Sequence, residues 1–193
     1  MVKEHAQVVW RVLEILTEHR LFLHPKKCEF QKTQIKYLRL IISESKVAMN
    51  SVKVSGVWEW PVPENQIDVQ AFLEFTNFYY QFIYDFSVIV CLLFDLTKSN
   101  MPWSWSKKKH GVFEALKATV TSAPVLVSPQ DLQPFHIETN SLDFTTRAVL
   151  FQQLPRTKKW HPVVFYSKFL SLVEWNYKIH DKEMLAIIHT LKE

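Results

Sequence analysis

An α+β fold is predicted, and three observations predict it. Apolar residues recur at three and four positions in several segments of the first 121 residues, the spacing of amphipathic helices. Three runs rich in β-branched and aromatic residues follow between 135 and 170. Pro124, Pro129 and Pro134 punctuate the stretch between the two regimes and mark the best domain boundary. With 193 residues, 48% hydrophobic and 14% aromatic, the chain has enough apolar material for a core and does not read as disordered.

The elements are expected in this order. Val8, Val9, Val12, Leu13 and Leu16 form one face of an opening helix over residues 4–23, which His24-Pro25 breaks. "KCEFQ" and "IKYLRLIIS" read as two strands of a hairpin joined by "KTQ". Asn50-Ser51 can cap a short helix, "VKVSGVWEW", which Pro61 and Pro63 end. Residues 66–84 have helical spacing, with Val69, Phe72, Leu73, Thr76 and Tyr80 on one face. A second helix covers "SVIVCLLFDLTK", and Ser106 after the "MPWSWS" loop can cap "KKKHGVFEALKATVTS". The strands "FHIETN", "TTRAVLFQQL" and "HPVVFYSKFL" follow, with a turn at "LPRTKK", and the last segment becomes helical near Asp181.

Composition narrows the function classes. Two glycines in 193 residues is about 1%, against a usual ~7%, so left-handed turns must use other residues or former Gly positions have been overwritten. Net charge is 23 − 19 = +4, unevenly spread. Residues 1–60 carry 10 bases and 6 acids (+4), residues 61–106 one base and 5 acids (−4), and residues 107–193 12 bases and 8 acids (+4). Both ends therefore suit polyanions and the middle does not. Cys28 and Cys91 are isolated, which argues against zinc and against a disulfide framework. No signal peptide or membrane-spanning run is visible, so an intracellular location, cytoplasmic or nuclear, without a membrane partner is expected.

The chemistry-bearing stretch is "FHIETNSLDF". A strand ending in a polar cluster is a common way to present metal-binding carboxylates, yet Asn140 holds an amide there. Glu138 shares the strand face of Asn140, and Asp143 lies past the strand end. The Lys107–Lys109 run is either a solvated face or a phosphate contact. Phe72, Phe75, Phe78, Tyr79 and Phe82 are either packing residues or a stacking platform.

The order of these blocks resembles the Pol polyprotein of gypsy-type LTR retrotransposons over nearly the whole chain. "VLEILTEHRLFLHPKKCEFQKTQIKYLRLIIS" is similar to the end of a reverse transcriptase palm with its primer-grip hairpin, assigning residues 1–48. "VKVSGVWEWPVPENQIDVQAFLEFTNFYYQFIYDFS" resembles the helical thumb, and "WSWSKKKHGVFEALKATVTSAPVL" the connection, together residues 49–123. "PFHIETNSLDFTTRAVLFQ" through "HDKEMLAIIHTLKE" resembles the start of the RNase H-like domain, residues 124–193. The implied fold is a palm-tail β-hairpin and helical thumb followed by a truncated RNase H-like βββα unit with an exposed sheet edge.

The resemblance implies RNA-directed DNA polymerase and RNA–DNA hybrid ribonuclease activities, Mg²⁺ as cofactor and nucleic acid as partner. The residues depart from it. No Asp-Asp pair occurs anywhere in the sequence, and the family's polymerase carboxylates would lie ahead of Met1. Of four RNase H carboxylates, the first falls on Asn140 and the second on Glu183, and the last two would lie past residue 193. The family usually has Gly where this chain has Arg39, Glu74 and Arg147. Asn140 and a vestigial Glu183, the one candidate metal ligand, are therefore expected to be catalytically inactive and to hold no Mg²⁺ productively. Lys36, Arg39, Lys107, Lys108 and Lys109 are the candidate nucleic-acid contacts. The alternatives are a non-catalytic binding module for nucleic acid or protein, or a working segment completed by other parts of Pol.

Overall fold

A computed structural model describes residues 2–99, 101–155 and 158–193. The turn expected at "LPRTKK" includes Arg156 and Thr157, which lie outside the described residues. By packing, the chain divides into one unit ending at Ile35 and a second spanning Lys36–Glu193.

In the first unit, α1 (Val2–Glu18) forms where the apolar spacing places it. Its end is a Schellman turn: Leu21 N–H donates to Leu16 O at 2.8 Å and Arg20 N–H to Thr17 O at 3.0 Å. Arg20 takes the left-handed position, φ 57°, that Gly usually fills. Val9, Leu13 and Leu16 are half-buried, whereas Val8 and Val12 are exposed.

The hairpin forms one step later than the sequence suggests. Residues 28–33 are not strand. "IKYLRLIIS" is itself split into β1 (Gln34–Tyr37) and β2 (Leu40–Ser43) by a turn at Leu38-Arg39. Gln31 and Leu38 both take positive φ, 55° and 54°, which interrupts extended backbone at those two points. β3 (Lys46–Met49) and the two-residue β4 (Leu126–Val127), both unforeseen, complete a sheet of order β1-β2-β3-β4. Two residues are too few to show a period, and β4 exists because Val47 and Lys46 offer it an edge.

Four helices then build the core. α2 (Ser51–Trp58) is capped by Asn50, whose Oδ1 accepts from Val52 N–H at 3.0 Å. α3 (Gln66–Asn77) is capped by Asn65 through Asp68 N–H at 3.0 Å. It stops at Asn77 instead of running to 84. A 3-10 turn at Tyr80–Phe82 intervenes before α4 (Phe86–Asp95). α5 (Lys107–Thr121) starts at its predicted cap, Ser106. Phe72, Tyr79, Leu93, Phe113 and Leu116 are fully buried among these helices, with the Phe72 and Phe113 rings 4.6 Å apart. Phe72, Tyr79 and Phe82 are thus packing residues, while Phe78 is 37% exposed.

The second sheet is antiparallel, of order β5 (Phe135–Ser141), β6 (Thr145–Gln153), β7 (Trp160–Phe169). α6 (Ile179–Lys192) packs on β5 and β6. Phe165 and Phe169 of β7 pack against the helical core, so helices and sheet share one interior. Gln152 is fully buried, and its amide accepts from Gln130 N–H at 2.8 Å and donates to Gln130 O and Gln133 O at 2.9 and 3.2 Å. That amide fastens the proline-rich connection to the sheet. Both glycines, Gly56 and Gly111, lie inside helices, and every positive-φ residue among those described is non-Gly.

Candidate functional site: the carboxyl end of β5

Antiparallel pairing sets Asn140 opposite Arg147, and Arg147 opposite Ser167. Directly opposed residues project from the same face, so amide, guanidinium and hydroxyl form one row across the sheet. The adjacent row, Ser141, Thr146 and Lys168, faces the other way, toward α6. Asn140 is exposed. Glu138, two residues back on the Asn140 face, lies 3.4 Å from His136 Nε2.

Glu183 is exposed on the second turn of α6. The helix start is anchored close to the end of β5, because buried Lys182 donates from Nζ to Asp143 O at 3.0 Å. Further along, His189 Nδ1 is 3.4 Å from Thr146 Oγ1, and His189 Nε2 is 3.5 Å from Glu174. Burial lowers the His189 pKa below its ordinary value, with Lys168 adding to the effect. Glu174 is also lowered, chiefly by the hydrogen bond from Ser171 N–H.

Among the described residues no three His, Cys, Asp or Glu side chains come close enough together to hold a metal ion. An Asn amide supplies one neutral oxygen, and Mg²⁺ sheds water only for near-octahedral, largely anionic oxygen sets. The donor set therefore does not fit a two-metal centre, and a guanidinium now occupies the strand position facing Asn140.

The predicted nucleic-acid residues do not form one patch of free cations. Lys36, Lys107 and Lys108 are exposed. Lys109 donates to Ser104 O at 2.7 Å. The Arg39 guanidinium stands over Phe75 and Phe78, 4.5 and 5.0 Å from the ring centroids, and is held by cation–π contact. Sequence reasoning missed the ion pair between Arg147 and Asp85 and the burial of Lys182. The one available signal was Arg147 at a position where the resemblance leads one to expect Gly.

No helix among the described residues is long and apolar enough to cross a membrane. Residues 105–193 match the RNase H-like domain found in reverse transcriptase. The Tf2-3 and Tf2-4 transposon polyproteins of Schizosaccharomyces pombe are each 33% identical to this chain over 189 residues, 98% of the chain and 14% of the relative. The chain thus spans about a seventh of the length of these curated relatives. A foamy viral protease-reverse transcriptase solved in complex with RNA/DNA hybrid superposes with a TM-score of 0.78 at 18% identity, covering 99% of this chain and 26% of that one. The same viral enzyme in complex with dsDNA gives 0.75 at 19% identity, covering 99% and 40%. At those identities the superpositions show a shared fold. The family model and the end-to-end match to transposon polyproteins together show that the chain belongs to the gypsy-type retrotransposon Pol polyproteins, as a segment with an RNase H-like domain.

Proposed function

We propose that this segment is a structural and nucleic-acid-facing part of Pol whose RNase H-like domain carries out no hydrolysis by itself. One observation carries the reading: the strand position that would open a metal site holds Asn140, and the position opposite holds Arg147. Hydrolysis of a phosphodiester by two metals needs carboxylates that fix both ions in line with the attacking and leaving oxygens. Of the positions that the resemblance places within residues 1–193, Glu183 is the one that holds a carboxylate. Residues 1–48, 49–123 and 124–193 act in this reading as palm tail, thumb with connection, and RNase H-like start, alongside other Pol segments inside the cell.

The relatives bear on the ligand. The foamy viral enzyme was solved with RNA/DNA hybrid and with dsDNA. Exposed Lys36, Lys107 and Lys108 are the residues here that could meet phosphates. Lys107 and Lys108 open α5, where the helix dipole disfavours cations, and a bound phosphate would relieve that. The test is Mg²⁺-dependent cleavage of an RNA–DNA hybrid by the purified chain. No turnover above a protein-free control is expected. Robust turnover that disappears in Glu183→Ala would overturn the proposal.

A further inference from the structure

The residue opposite Asn140 has a partner of its own. Arg147 Nη1 donates to Asp85 Oδ2, 62 positions earlier in the chain, and the two side chains are 20% and 21% exposed. The guanidinium carbon is 5.2 Å from the Tyr84 ring centroid, and that ring meets Phe165 of β7 edge-on at 5.9 Å. Two residues beyond Asp85, Ser87 N–H donates to Ser167 Oγ at 2.9 Å, and Ser167 Oγ donates to Ser87 Oγ at 3.1 Å. Arg147 and Ser167 are strand neighbours in one row. The first turn of α4 is therefore held at two adjacent points of the sheet.

The backbone is bent to make this contact. Asp85 sits in the left-handed region, φ 59° and ψ 28°, just ahead of α4. That conformation is unfavourable for most L-residues, though Asp and Asn tolerate it best. Asp85 makes no side-chain cap to its own helix. Its carboxylate is turned to Arg147 instead, where it lies near the positive end of the helix dipole. Asp85 Oδ1 and Arg147 Nε are both buried without a hydrogen-bond partner, so this contact is retained although it leaves polar atoms unsatisfied.

We propose that Arg147 and Asp85 form a latch that fastens the RNase H-like sheet to helix α4, so that the sheet and the helical core move as one body. Glycine at position 147, the residue that the resemblance leads one to expect, has no side chain to reach Asp85. The charge opposite Asn140 thus joins the sheet to the helix. Release of the latch would widen the cleft of about 390 Å³ that runs between α3, α4 and β7 past Asn77, Phe94 and Phe169.

Hydrogen–deuterium exchange on the purified chain tests this. In Arg147→Gly, the amides of Ser87 to Ile89 and of the β7 residues around Ser167 should exchange about tenfold faster, while the α5 amides keep their rates. Asp85→Asn preserves size and tolerance of positive φ, and should show the same local effect should the glycine variant unfold. Unchanged exchange at these amides in Asp85→Asn would overturn the latch.

Discussion

Asn140 and Arg147 face each other across β5 and β6. An amide in place of a carboxylate removes a charge and an oxygen. The residue on the facing strand position, Arg147, supplies no oxygen donor and is paired with Asp85. The expected outcome for Asn140→Asp is therefore no recovery of Mg²⁺-dependent hybrid cleavage. Within residues 1–193 the new carboxylate would have Glu183 as the one other carboxylate that the resemblance assigns. Any cleavage by that single variant, read as labelled RNA fragments on a gel, would show the donor set to be larger than these residues suggest. Other residues trace the low Gly content. Arg20, Gln31, Leu38, Asp85, Leu132 and Lys158 all take positive φ without being Gly. Each such position costs roughly 1–2 kcal/mol relative to an unstrained residue.

At the scale of elements, one imidazole links α6 to β6 and to a 3-10 turn. His189 is mostly buried between Thr146 of β6 and Glu174 of the 3-10 turn at Glu174–Asn176, with Lys168 nearby. Its pKa is lowered in the folded chain from an ordinary 6.5, chiefly because burial disfavours the cation. The unfolded chain therefore binds more protons, and acid favours unfolding. Stability from this group is complete above about pH 6.5 and is lost as pH falls through the lower folded value. Glu174, lowered from an ordinary 4.5, acts in the same direction at more acid pH. Thermal melts from pH 7.5 downward should show Tm falling as His189 titrates, and His189→Gln should flatten that first decline. An identical pH profile in the variant would show that the titrating group lies elsewhere. The strand elements carry a different lesson. Gln152 looks in the sequence like one more polar residue of a strand, yet it is wholly buried with three backbone partners. Alternation identifies which face a side chain takes, and burial depends on what the chain later lays over that face.

The whole molecule places helices and second sheet on a common core, with residues 36–193 as one packed unit. A basic excess at both ends of the sequence remains, but much of it is engaged: Arg39 by two phenyl rings, Arg147 by Asp85, Lys109 and Lys182 by backbone carbonyls. Binding to hybrid or duplex should consequently be modest and strongly salt-dependent. If Lys36, Lys107 and Lys108 each neutralise one phosphate, log K should fall against log salt with a slope of about −3, and the Lys107→Ala, Lys108→Ala double variant should reduce it by about 2. A flat response in fluorescence anisotropy titrations would remove nucleic acid as a partner of these residues.

Features legible in the chain are local or are written in residue identity. Helix caps at Asn50 and Ser106, the buried face of α3, the three strands, the Asn140 substitution and the membership in Pol all follow from neighbours within a few positions or from the order of motifs. Tertiary structure alone decided the partner of Arg147, the burial of Lys182 and Gln152, the short β4, and the turn at Leu38 that moved the first hairpin. The physical reason is range. Caps and amphipathic faces are set by contacts three or four residues apart, whereas Asp85 meets Arg147 across 62 positions, and only the folded register brings the two charges together.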